Sequence, residues 1–181
     1  MRPLGRQPRA WRETSGIGYS RPAEASMPDD LYDRDFVAWA QAQADRLRRV
    51  AAGERVNDLD WANVIEEIET SGRSEVQAVA SLLEQGLIHA MKVAAWPDHP
   101  AAGHWRGEVR TFLNNALRRF TPSMRQLLDL PGIHADALDA VLEMDMGQPP
   151  MALRADTDLT LDELLSRDLR PDALVARLRK G

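Results

Sequence analysis

Apolar residues recur along the chain at steps of three and four, and nowhere at a sustained step of two. Alternating steps of three and four follow one face of an α-helix, whereas a step of two follows one face of a strand. The pattern therefore predicts an all-α helical bundle with no sheet. Phe36, Ala40, Ala44, Leu47 and Ala51 mark a first helix over 31–52. Asp29 or Asp30 is placed to cap it, because a carboxylate accepts orphan N–H groups at the positive helix end. Arg46, Arg48 and Arg49 suit the negative end, and Gly53 suits the left-handed residue that often follows a helix.

The second helix is the long one. After Asp58 the series Trp61, Ile65, Ile68, Gly72, Val76, Val79, Leu83, Leu87, Ala90, Ala94 advances by three or four at every step. Its mean step of about 3.67 fits a straight helix rather than a heptad supercoil. Unbroken to Ala95, it would be roughly 55 Å long, the central element of the bundle. Pro97 ends it and pushes Trp96 out of helical geometry. Gly72 weakens a helix interior by about 1 kcal/mol, yet it lies on the apolar stripe. That placement predicts close approach of another helix there, with a bend at Ser71-Gly72 as the alternative.

Beyond Pro97, a third helix opens at Asp98 or Pro100 and carries Trp105, Val109, Phe112, Ala116 and Phe120. Thr121-Pro122 reads as a cap followed by proline in the first turn of a short helix, which Pro131-Gly132 should stop. A further helix is predicted over 135–146, with Leu138, Val141 and Leu142 apolar, and a loop over 148–158. Thr160 and Glu163 form a capping box, and Leu159 and Leu164 sit at the positions of its hydrophobic staple. That helix should end near Asp168, before Pro171.

Composition separates the ends of this pattern. The chain has 181 residues, no cysteine and a net charge of −5. Without cysteine, disulfides, thiolate metal sites and a cysteine nucleophile are excluded. No apolar run approaches the roughly 20 residues of a membrane span, so no membrane association is expected. Residues 1–26 hold five arginines against two glutamates, a net +3, which leaves residues 27–181 at −8. An acidic body disfavours nucleic acid as a partner, because phosphate contacts need clustered Lys and Arg. Residues 1–26 lack an apolar period and the apolar stretch, about 7–15 residues long, of a secretory signal. They are expected to be a disordered basic tail outside the fold, or sequence upstream of the true start. Residues 27–181 are expected to form a single all-helical domain, in the cytoplasm.

The candidate chemistry lies on the long helix. With Ile65 at 0° and 100° per residue, Glu69 falls at about +40°, Arg73 at about +80° and Glu66 at about +100°. The three share one flank, with Glu69 expected to be partly buried at its edge. A buried carboxylate needs a partner, so the favoured reading is a structural ion-pair cluster of Glu66, Glu69 and Arg73, with Arg110 as a second cation. The sharper reading makes Glu66 and Glu69, at i,i+3, half of a carboxylate cradle for Mg²⁺ or Mn²⁺. Asp136 and Asp139 repeat that spacing, but on a different helix. His89 is a further candidate ligand or general base, although a helix-surface histidine is the commoner case. His99 and His104 are expected to be solvated. Trp39, Trp61, Trp96 and Trp105 are expected to pack in the core or an interface. No P-loop, G-x-G-x-x-G, G-x-S-x-G or H-E-x-x-H string occurs, and no catalytic residue is assigned.

The string Asp60-Trp61-x-x-Val64-Ile65-Glu66-Glu67-Ile68-Glu69-x-x-Gly72-Arg73-Ser74-Glu75 resembles the bacterial domain-of-unknown-function family 29. So do Leu31-Tyr32-Asp33-Arg34-Asp35-Phe36-x-x-Trp39, His89-x-x-Lys92, Trp105-Arg106, and Thr160 to Leu165. The resemblance spans residues 29–172 and implies an all-helical fold with no established activity. It begins after Met27, which again sets residues 1–26 apart.

Two functions follow as expectations. The favoured one is a helical protein-interaction or scaffold module without a cofactor, whose partner is another protein or a second copy. The alternative is a metal-dependent hydrolase acting on a phosphorylated or nucleotide substrate, for which Mg²⁺ or Mn²⁺ would be the cofactor.

Overall fold

A computed structural model describes residues 31–180. The basic tail, Met27 and the candidate caps Asp29 and Asp30 lie outside the described residues. Contacts divide the chain into two compact units, with the boundary between Val64 and Ile65.

The first unit contains α1 (Leu31–Arg34) and α2 (Phe36–Ala51). The sequence pattern reads one helix across both. Asp35 interrupts it: its backbone leaves helical geometry, and its carboxylate accepts the Ala38 N–H at 3.0 Å, starting a new helix. Local capping thus overrides the apolar period. Trp39, Leu59 and Val64 form a small core with Leu31, Tyr32, Ala40, Leu47 and Val56 against it. Tyr32 meets Trp39 edge-on at 4.8 Å between ring centres. Phe36, on the predicted stripe, is exposed. Gly53 adopts the expected left-handed conformation, with φ +86°.

α3 runs from Trp61 to Ala95, 35 residues, or about 52 Å. It continues through Gly72 without a break.

In the second unit, the turns of α3 from Val79 onward are the core's main strut. Val79, Leu83, Leu87, Ala90, Met91, Val93 and Ala94 are fully buried. α4 (Ala102–Arg119) supplies Trp105, Val109, Leu113 and Ala116 to the same core. Gly86 permits this packing: a Cβ there would stand 2.8 Å from Leu113 Cδ2. A 3₁₀ turn, Pro122–Gln126, follows. The Thr121 hydroxyl meets Ser123 Oγ at 3.1 Å instead of capping the turn.

Pro131-Gly132, expected to stop a helix, instead opens α5 (Leu130–Leu142). The Asp129 carboxylate caps it, accepting the Gly132 N–H at 3.2 Å. A Cβ at Gly132 would collide with that carboxylate. Proline in a first turn has no N–H to leave unsatisfied, so the same dipeptide serves a start as readily as a stop. α5 accordingly begins and ends about one turn before the predicted 135–146, and Leu142 is exposed.

The capping box at α6 (Leu161–Leu164) is present in both directions, and Leu159 and Leu164 are buried beneath it. α6 ends one turn before the expected Asp168. α7 (Pro171–Leu178) follows, a helix the pattern did not single out; it buries Leu174, Val175 and Leu178. Arg177 binds Glu163 at 2.7 Å and Asp158 at 2.9 Å, tying α7 to the α6 cap. Among the described residues, the only β pairing is an isolated bridge between Leu153 and Arg179. The all-α expectation holds, and among the described residues no helix is long and apolar enough to cross a membrane.

Candidate functional site

The start of α3 is built around Asp60. Its Oδ2 accepts Trp39 Nε1–H at 3.1 Å and Asn63 Nδ2–H at 2.7 Å. Its own N–H donates to Oε1 of the buried Gln43 at 3.0 Å. Burial works to raise the Asp60 carboxyl, but the donors on Asn63 and Trp39 outweigh it and hold the group below the usual carboxylate range. The acid in the Asp60-Trp61 pair is therefore a structural anchor. Trp61 itself is exposed, whereas Trp39, Trp96 and Trp105 are buried.

One turn on, α3 is bare. From Ile65 to Glu75 no residue is buried. Ile65 is 51% exposed and Ile68 is 67% exposed. Glu66, Glu69 and Arg73 do share a flank: Arg73 Nη2 lies 2.7 Å from Glu66 Oε1, and Arg73 Nη1 lies 3.6 Å from Glu69 Oε2. Thr70 Oγ1 bridges the pair, accepting from Arg73 at 2.7 Å and donating to Glu66 at 3.2 Å. The expected partial burial of Glu69 is corrected: its side chain is 61% exposed. Among the described residues, no helix buries the flank. Arg110 does not join it, and lies beside Asn114, Ser166 and Arg167.

Gly72 is corrected in the same way. A Cβ placed there would meet nothing within 4 Å, so among the described residues no helix approaches it. Gly72 instead floors a shallow groove with Glu69, Arg73, Val76, Gln77 and Leu127. Leu127, just after the 3₁₀ turn, is 65% exposed. The groove is apolar along its floor and charged along one rim.

Among the described residues, no three His, Asp or Glu side chains converge to hold a metal ion. His89 Nδ1 sits 2.8 Å from the Gln85 carbonyl, which assigns the proton to that nitrogen, and the ring packs on Phe112. His99 is not simply solvated: it stacks on Trp105 at 4.7 Å and accepts the Ala101 N–H. Lys92 lies 4.5 Å from the centre of the same Trp105 ring, and burial pushes its ammonium below the usual lysine value.

His134 was absent from the sequence candidates. It is 1% exposed, and its Nε2 is buried without a hydrogen-bond partner. Burial lowers its pKa, Asp156 opposes that shift and Arg154 adds to it. The signal was available, because His134 stands on the same face of α5 as Leu130, Ala137, Leu138 and Val141.

This is an all-α protein whose exposed chemistry is an apolar groove with a charged rim. It belongs to the domain of unknown function family DUF29, whose model matches residues 31–169. A solved alpha-helical protein of unknown function from Rhodospirillum rubrum ATCC 11170 is 32% identical, with 82% of this chain and 98% of that chain covered and a TM-score of 0.63. Comparison with curated proteins gave no match.

Proposed function

We propose that the chain is a helical protein-interaction module whose contact surface is the bare face of α3 from Ile65 to Glu75, bounded by the half-buried Val76. The observation that carries this reading is the exposure of Ile65 and Ile68 on the helical stripe that leads to Gly72, which itself lines a groove with Leu127. A helix that buries one stripe completely in its later turns leaves the same stripe open in its earlier ones. Scattered exposed apolar residues are ordinary, but a contiguous apolar patch with a polar rim is typical of a protein-contact surface. The rim of Glu66, Glu69 and Arg73 would supply register and specificity rather than affinity.

The test is affinity capture from native cell extract with the full chain and with Ile68→Glu as baits, each with and without Mg²⁺ or Mn²⁺. The expected result is capture by the parent in both conditions, lost with Ile68→Glu. Equal capture by both baits would place the contact elsewhere. A rise in melting temperature with metal, abolished by Glu69→Gln, would instead favour the hydrolase alternative.

A further inference from the structure

We infer that the occupant of this face is a second copy of the chain, paired antiparallel along α3 about a two-fold axis near Thr70. The inference rests on the interaction reading above. At 100° per residue, Ile65, Ile68, Gly72 and Val76 fall within an arc of about 80°. Within that arc Ile68 projects, and Gly72 is a notch with nothing within 4 Å of a Cβ placed there. A two-fold axis near Thr70 seats Ile68 of one copy over Gly72 of the other and brings Ile65 towards Val76. Two-fold symmetry makes each such contact occur twice.

The charges select the direction. Two antiparallel helices related by a two-fold axis meet along the same flank, read in opposite order. The flank here is acidic at Glu66 and Glu69 and basic at Arg73. Reversal sets Glu66 of one copy opposite Arg73 of the other, on both sides of the axis. The ion pair already present within each chain then extends across the pair. Leu127, exposed beside the groove, widens the apolar contact.

The experiment is sedimentation equilibrium of the full chain over a concentration series, with circular dichroism melts confirming that each variant is folded. The expected result is a concentration-dependent dimer that Ile68→Glu weakens by about tenfold or more. Glu66→Arg and Arg73→Glu, each alone, should weaken it by a similar factor through like-charge contact across the axis. An equimolar mixture of those two variants should recover the dimer, because every facing pair is again opposite in sign. A parent that stays monomeric overturns the pairing, as does a dimer indifferent to Ile68→Glu. A mixture that fails to recover overturns the antiparallel register. In a monomeric parent, capture of an unlike protein that Ile68→Glu abolishes leaves the interaction reading standing while the pairing falls. With no capture that depends on Ile68, both fall.

Discussion

Within α3, the turns from Ile65 to Glu75 and the turns from Val79 to Ala95 carry apolar residues at the same steps of three and four. The later turns lie deep in the core, with Leu83 and Leu87 wholly buried. The earlier turns bury nothing. Their glycines differ in the same sense. Gly86 lies against Leu113, with no room for a Cβ, whereas Gly72 faces open space. Periodicity says which residues of a helix share a face. It does not say whether another element arrives to cover that face. Where a neighbour arrives, the stripe becomes core; where none does, it remains available for contact with another molecule.

The largest expected contrast comes from truncating one residue in each region. Leu87→Ala should destabilise the chain by about 2–5 kcal/mol, because it opens a cavity in a packed core. Ile68→Ala, on the bare turns, should change stability by no more than about 0.5 kcal/mol in dilute solution, below the range where the chain pairs with anything. Urea denaturation of both variants measures the difference. Comparable losses at the two positions would show that the bare face is covered in solution.

The glycines give the next largest effect, with opposite signs. Gly86→Val forces Leu113 and its helix away and should cost about 1–3 kcal/mol. In dilute solution, below the range where the chain pairs with anything, Gly72→Ala adds helix propensity without a clash and should stabilise by up to about 1 kcal/mol. Thermal melts of the two variants should move in opposite directions. A destabilising Gly72→Ala would mean that the notch is occupied.

This pair of glycines also marks how far the sequence was legible. The long helix, its stop at Pro97 and the capping box at Thr160 rest on local chemistry, and all three are where the pattern puts them. Gly72 and Gly86 are alike in sequence terms, both small residues within an apolar helix. What separates them is Leu113 on α4, a tertiary fact with no local signature. Pro131-Gly132 misled for a related reason, since the dipeptide fits either end of a helix and the Asp129 cap decides which. For the candidate site, the shared flank of Glu66, Glu69 and Arg73 was readable from helical geometry. The exposure of that flank was not, because it depends on whether another element packs there.

A smaller effect separates a buried polar group from the exposed ones. Burial lowers the pKa of His134 in the folded chain. The unfolded histidine, near its reference value of about 6.5, then binds protons that the folded one refuses. The contribution of this group is thus fully present above about pH 6.5 and is lost as pH falls from there towards the lower folded value. Carboxylate reference values near about 4 lie below this window. Denaturation midpoints at about pH 7.5 and pH 5.5 should therefore fall further for the parent than for His134→Leu. Equal falls would show that His134 does not titrate with a depressed value.

The smallest expected effect is at Arg73, and it bears directly on the bare turns. Were Glu69 a partly buried carboxylate, as the helical geometry alone suggested, Arg73→Ala would strand a desolvated charge and cost well over 1 kcal/mol. In the fold, Arg73, Glu66 and Glu69 are each more than half exposed. Water solvates whichever group loses its partner, and salt screens the pair. Arg73→Ala should therefore cost no more than about 0.5 kcal/mol in dilute solution, below the range where the chain pairs with anything. A double-mutant cycle with Glu66→Gln should give a coupling of that size or less, shrinking as salt is added. At concentrations where the face is engaged, the same cycle should show a larger coupling, because the contact expels water from around the charges. A coupling well above 1 kcal/mol in the dilute monomer would mean that this flank is already covered, and the contrast between the two halves of α3 would disappear.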